Sequence, residues 1–119
     1  MSGVKMMDDP EACGFDTAMR VIRGKWKATI IWRLHLAPRR FGRLRQLLPG
    51  ISDKVLLEQL RELEADGLVD RRQDAGPPIK VVYSLSDYGR SLNEGMERLA
   101  IWGRAHQKSA VGQKPTSTL

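Results

Sequence analysis

The side chains in this chain that could do chemistry are overwhelmingly cationic. Between Thr17 and Ser52 stand Arg20, Arg23, Lys25, Lys27, Arg33, Arg39, Arg40, Arg43 and Arg45, and no acid interrupts them. A uniformly solvated surface mixes the signs, so such a run describes a surface suited to a polyanion. The whole chain leans the same way, with a formal net charge of +6 and a pI near 9.9. Further along, Ser52, Asp53, Lys54 and Leu57 follow a Pro-Gly break, and Arg61, Arg71, Arg72 and Lys80 lie beyond them. Lysine can pair with guanine acceptors and serine with several bases, while guanidinium groups suit phosphates. For any one arginine the plainer reading is a solvated side chain.

Other chemistries find no such support. The single cysteine, Cys13, cannot form an internal disulfide, which fits a reducing compartment. The two histidines, His35 and His106, have no paired Cys or His at metal-ligand spacing, so no metal is expected. There is no Gly-rich phosphate loop and no Ser-His-Asp set on a nucleophile elbow, so neither an enzyme nor a cofactor is expected. No apolar run approaches the roughly 18 residues of a membrane helix. The opening MSGVKMMDDPEACG lacks the basic-then-apolar order of a secretory signal, and a cytoplasmic location follows as the expectation.

With 119 residues there is room for one domain and one core. Residues 1–12 are aperiodic and read as a flexible arm, 13–107 as the folded domain, and 108–119 as a disordered tail. Phe15, Ala18, Met19 and Ile22 recur at helical spacing before Gly24, and Lys25 to Leu36 reads as a helix buried over most of its girth, Trp32 included. Pro38 ends it, with Arg39 and Arg40 in the joint. Phe41, Leu44, Leu47 and Leu48 give a two-turn helix, Pro49-Gly50 reverses the chain, and Ile51 tucks the turn into the core. Ser52 then caps a helix from Asp53 to Asp66 with Leu56, Leu60 and Leu63 inward and Lys54, Glu58 and Arg61 outward. Glu58, Glu62 and Glu64 would repel phosphates if they faced them; ion pairs such as Glu58 with Arg61 are the alternative use. Gly67 ends this helix, Leu68, Val69 and Asp70 begin a strand that runs through Arg71-Arg72, Asp74-Ala75-Gly76-Pro77-Pro78 is a loop, and Lys80 to Leu85 is the second strand.

Helix, turn, helix and hairpin, in a basic chain, describe an α+β, mainly α fold: a winged helix-turn-helix with a two-stranded wing. Its expected DNA contacts are Arg39, Arg40, Arg43, Ser52, Asp53, Lys54, Leu57, Arg61, Arg71, Arg72 and Lys80. A last helix opens at Ser86-Asp87 and runs to about Gln107 with Tyr88, Leu92, Met96, Leu99 and Trp102 in a stripe longer than a small core needs. Gly89, Gly95 and Gly103 each cost roughly 1 kcal/mol against alanine there, which close approach of another element would offset. Phe15, Met19, Ile22, Leu92, Met96, Leu99 and Trp102 are therefore the expected homodimer interface, formed by N- and C-terminal dimerisation helices. A protein-interaction module and a nonspecific nucleic-acid binder are the rival functions.

Spaced blocks run from Cys13 to His106: Cys13, Gly24-Lys25-Trp26, Arg40-Phe41 with Leu44, Leu48-Pro49-Gly50-Ile51-Ser52 with Lys54 and Leu56, Leu60-Arg61-Glu62-Leu63-Glu64, Gly67-Leu68-Val69 with Arg71, Tyr83-Ser84-Leu85, Gly89, Leu92 and Trp102-Gly103. In these blocks the chain resembles the HxlR-type family of bacterial winged-helix regulators, in the wider MarR-like group. The resemblance implies a homodimeric transcriptional regulator that sets two recognition helices into successive major grooves of a near-palindromic operator. It also implies that Cys13 stands where some members sense quinones, aldehydes or oxidants, so a small-molecule or oxidant effector is expected beside the alternative of a buried structural thiol. With one cysteine per chain, oxidation leads to an intersubunit disulfide, a mixed disulfide or an adduct. Two positions depart from the family pattern: Val82 replaces the usual acid before the wing tyrosine, and Ser86 the usual threonine.

Overall fold

The computed structural model describes residues 10–117, with side chains described from Gly14 to Ser109. In chain order the elements are α1 (Pro10–Ile22), α2 (Lys27–Leu36), β1 (Arg39–Arg40), α3 (Phe41–Leu47), α4 (Asp53–Ala65), β2 (Val69–Asp74), β3 (Lys80–Leu85) and α5 (Asp87–Ser117). The core draws Ile30, Ile31 and Leu34 from α2, Leu44 from α3, Leu56, Leu60 and Leu63 from α4, and Val69, Tyr83 and Leu85 from the sheet, with Leu48, Ile51 and Leu68 closing the joints. Each fully buried leucine or isoleucine contributes about 1.5–3 kcal/mol of transfer free energy, so the stripe on α4 alone fixes which side of that helix faces out.

The joints are made by a few backbone devices. After α3, the Ile51 N–H donates to the Leu48 carbonyl at 3.1 Å, and Gly50 takes φ +92°, a left-handed conformation that glycine adopts without a Cβ clash. At the end of α4, Leu68 N–H donates to the Leu63 carbonyl (3.0 Å) and Gly67 N–H to that of Glu64 (2.9 Å), with Gly67 at φ +77°. That pattern is a Schellman cap. The start of α5 is stitched onto the same corner. Ser86 Oγ accepts from Gly89 N–H (2.9 Å) and donates to the Gly67 carbonyl (2.7 Å), while Ser86 N–H donates to the Leu68 carbonyl (3.0 Å).

The sheet departs from expectation. It is three-stranded and antiparallel in the order β1-β3-β2, because Arg39 and Arg40, assigned from sequence to a joint, pair with Tyr83 and Val82 of β3. Two residues are too few to show a period, and their strand conformation comes from β3. Trp32 is another correction: it is 47% exposed, because at 100° per residue it lies far around α2 from the buried Ile30 and Leu34. Helix α1 begins five residues before the predicted Phe15, and α2 begins at Lys27 rather than Lys25. The expected tail from Lys108 is helical in backbone through Ser117. Residues 1–9, most of the expected arm, lie outside the described residues, as does the side chain of Cys13.

Candidate nucleic-acid interface

Helix α4 presents its first turn to solvent. Ser52 Oγ accepts from Val55 N–H at 3.1 Å, so the hydroxyl that sequence reasoning offered to a base also caps the helix. Ser52, Asp53 and Lys54 are all exposed, Leu57 is half-buried, and Arg61 is exposed one to two turns further along. Leu56, Leu60 and Leu63 on the other side are fully buried, so the helix cannot turn these groups inward without unpacking the core.

Asp53 is held by a neighbour that sequence reasoning left out of the site. Its Oδ1 lies 3.1 Å from Arg45 Nε, an ion pair reaching from α3 across the Pro49-Gly50 turn to the first turn of α4. Both groups are more than half exposed, so the pair adds little stability. Its consequence is positional: the Asp53 carboxylate is turned toward α3. The signal was available, since an acid at the first position of a helix and a base eight residues upstream bracket a tight turn.

The acids on α4 divide. Glu62, itself more than half exposed, pairs with the largely buried Lys27 at the start of α2. The Glu58–Arg61 pair weighed from sequence is not formed among the described ion pairs. Glu58 and Glu64 are exposed.

The remaining predicted cations sit on the flanking segments. Arg43 is exposed on α3 and donates through Nη1 to Gln46 Oε1 at 3.0 Å. Arg39 is half-buried and its Nε donates to the Arg33 carbonyl at 3.4 Å, tying β1 to the last turn of α2. Arg40, Arg71, Arg72 and Lys80 are exposed. Arg72 Nε is 3.5 Å from Asp74 Oδ1; Arg40, Arg43, Lys54, Arg61, Arg71 and Lys80 enter no ion pair among the described residues. The register brings Arg39, Arg40, Arg71 and Arg72 onto neighbouring rows of one sheet, a convergence the sequence spacing does not reveal.

Away from this surface, α1 and α5 leave an apolar groove of about 470 Å³ between them, lined among others by Phe15, Met19, Ile22, Leu92, Met96, Leu99 and Trp102. Phe15, Leu99 and Trp102 are more than half exposed. All seven residues predicted for a dimer interface therefore share one groove.

A buried leucine stripe that fixes an outward helix start, a tight turn before it and a β wing after it define a winged helix-turn-helix transcriptional regulator. The comparison with known proteins makes the assignment specific: the model of the HxlR-like helix-turn-helix family matches residues 21–111, and the chain belongs to that family. It is 40% identical over 104 residues to the HTH-type transcriptional regulator YkvN of Bacillus subtilis (strain 168), covering 86% of this chain and 88% of that one. Among solved structures it is similar to a MarR-family transcriptional regulator from Enterococcus faecalis V583, with TM-score 0.78, 33% identity and coverage of 83% and 90%. It is also similar to the redox regulator HypR in its reduced form, with TM-score 0.77, 34% identity and coverage of 83% and 98%. These relatives are regulators rather than enzymes. No described helix is long and apolar enough to cross a membrane.

Proposed function

We propose that two copies of this chain bind a near-palindromic operator in the cytoplasm, each placing the first turn of α4 in a major groove. The observation that carries this reading is the exposed Ser52-Asp53-Lys54 turn, fixed outward by the buried Leu56, Leu60 and Leu63. Lys54, with no carboxylate partner among the described residues, is the lead base-reading group, while Arg43, Arg61, Arg71 and Lys80 neutralise backbone phosphates. The α1–α5 groove is the two-fold interface, and it sets the two recognition helices about one DNA turn, roughly 34 Å, apart. Cys13 is the candidate site for an oxidant or electrophile effector, supported by its place in α1 and by the likeness to a redox regulator.

A mobility-shift titration on the chain's own upstream DNA against scrambled competitor tests the reading. A selective shift is expected; no shift favours a protein-interaction module, and equal shifts favour nonspecific binding. Lys54→Ala is expected to cost about 1–3 kcal/mol on the preferred site and to relax sequence choice. Unchanged operator choice in that variant would remove α4 from the groove.

A further inference from the structure

The register of the wing sheet groups arginines around two adjacent residues of its central strand. Across the three strands the rows are Arg39–Tyr83–Arg71 and Arg40–Val82–Arg72. Residues paired directly across antiparallel strands project to the same face. Tyr83 is buried, so Arg39 and Arg71 share the core-facing side of the sheet, whereas exposed Arg40 and Arg72 share the outer side with half-buried Val82. With one strand between them, the backbones that carry Arg40 and Arg72 are about 10 Å apart, two strand spacings.

Directly in register between Arg40 and Arg72 stands Val82, with Ser84 of β3 and Asp70 and Asp74 of β2 two residues away on the same face. Val82 offers only methyl groups. The nearest compensation is Asp74, 3.5 Å from Arg72, with the two side chains 47% and 70% exposed and therefore weakly coupled. Arg40 enters no ion pair among the described residues. Guanidinium forks match phosphate oxygens geometrically, and a sheet fixes their spacing in a way a loop does not. Both arginines are also joined directly to the helix-turn-helix: Arg40 is the residue before α3, and β2 begins two residues after Gly67 at the end of α4.

We propose that Arg40 and Arg72 form a paired grip on the DNA sugar-phosphate backbone from the outer face of the sheet, and that Val82 sets its strength by placing no carboxylate in register between them. The inference rests on the DNA-binding reading above and adds to it a residue that touches no DNA yet tunes affinity. An acid at position 82 would lie in register between the two arginines and accept from both, closing the grip.

The test is a fluorescence-anisotropy titration of the full chain on its upstream DNA and on a scrambled duplex, repeated from about 50 to 200 mM salt. Each phosphate contact adds roughly 0.9 to the slope of log affinity against log salt. Val82→Glu and the double variant Arg40→Gln/Arg72→Gln are each expected to flatten the slope by about 1.8, so that a fourfold rise in salt weakens them about 12-fold less than wild type. Val82→Thr is expected to keep the wild-type slope, and all variants the wild-type preference for upstream over scrambled DNA. Adding Val82→Glu to the double variant is expected to change nothing further, which a merely structural effect of the glutamate would not reproduce. A wild-type slope in Val82→Glu or in the double variant overturns the grip alone. A wild-type protein that binds neither duplex overturns the DNA reading and the grip with it.

Discussion

Replacing Gly89 with alanine should destabilise the protein, although alanine is the better helix former by about 1 kcal/mol. Gly89 is buried in the first turn of α5, and a Cβ built there would stand 2.2 Å from the Leu68 carbonyl oxygen and 2.8 and 2.9 Å from Leu85 Cδ1 and Cγ. Leu85 can rotate. The Leu68 carbonyl cannot, because it accepts from Ser86 N–H and belongs to the corner where α4, β2 and α5 meet. Relieving the clash to 3.0 Å requires the helix start to back away by 0.8 Å. That movement strains three hydrogen bonds at once: Ser86 N–H to Leu68, Ser86 Oγ to Gly67, and Gly89 N–H to Ser86 Oγ.

Losing the equivalent of two such bonds costs about 1 kcal/mol each, and weakening the cap costs about 1 more. Set against the propensity gain, the net is about 2 kcal/mol of destabilisation, within the usual range for overpacking. In a domain of this size, that lowers Tm by roughly 6–12 °C. Thermal unfolding followed by circular dichroism at fixed protein concentration measures it, with Gly14→Ala as the control. Gly14 is in α1 with nothing within 4 Å of its Cβ position, so alanine there should be neutral or stabilising. A Gly89→Ala protein as stable as wild type would refute the packing of α5 on this corner.

Ser52→Ala should lower stability by about 0.5–2 kcal/mol in urea unfolding, since it leaves the Val55 N–H without its cap, and Ser52→Asp should restore most of that loss. Leu99→Glu places a charge in the α1–α5 groove and should shift sedimentation from dimer to monomer with helix content unchanged; a dimer that persists would place the two-fold contact elsewhere.

How much of this was readable in advance depends on the range of the interaction concerned. The stripe Leu56-Leu60-Leu63, the Ser52 cap, the Gly67 stop and the Ser86 cap are set within one or two turns, and the sequence carries them openly. The glycines of α5 were legible only in kind: Gly89 has the close neighbour its presence implied, supplied by Leu68 and Leu85, while Gly95 and Gly103 face open space within one chain. Strand β1 was illegible, since its two residues are extended only because β3 lies beside them. Trp32 misled because a large apolar side chain on a core helix reads as core whatever its angle.

The acids of α4 show why the charge a DNA groove would meet is not the charge counted along the helix. Counted in sequence, Asp53, Glu58, Glu62 and Glu64 outnumber Lys54 and Arg61 and argue against phosphate contact. In the fold, Glu62 pairs with Lys27, distant in sequence, and Asp53 with Arg45 across the turn, so each carries a cation beside it. What remains on the outward stripe is Lys54, Glu58 and Arg61, with Glu64 near the far end. On that stripe Glu58 is the acid that stands between two cations at helical spacing. The acids that weaken a charge-count argument for DNA thus include two with cationic partners on neighbouring helices.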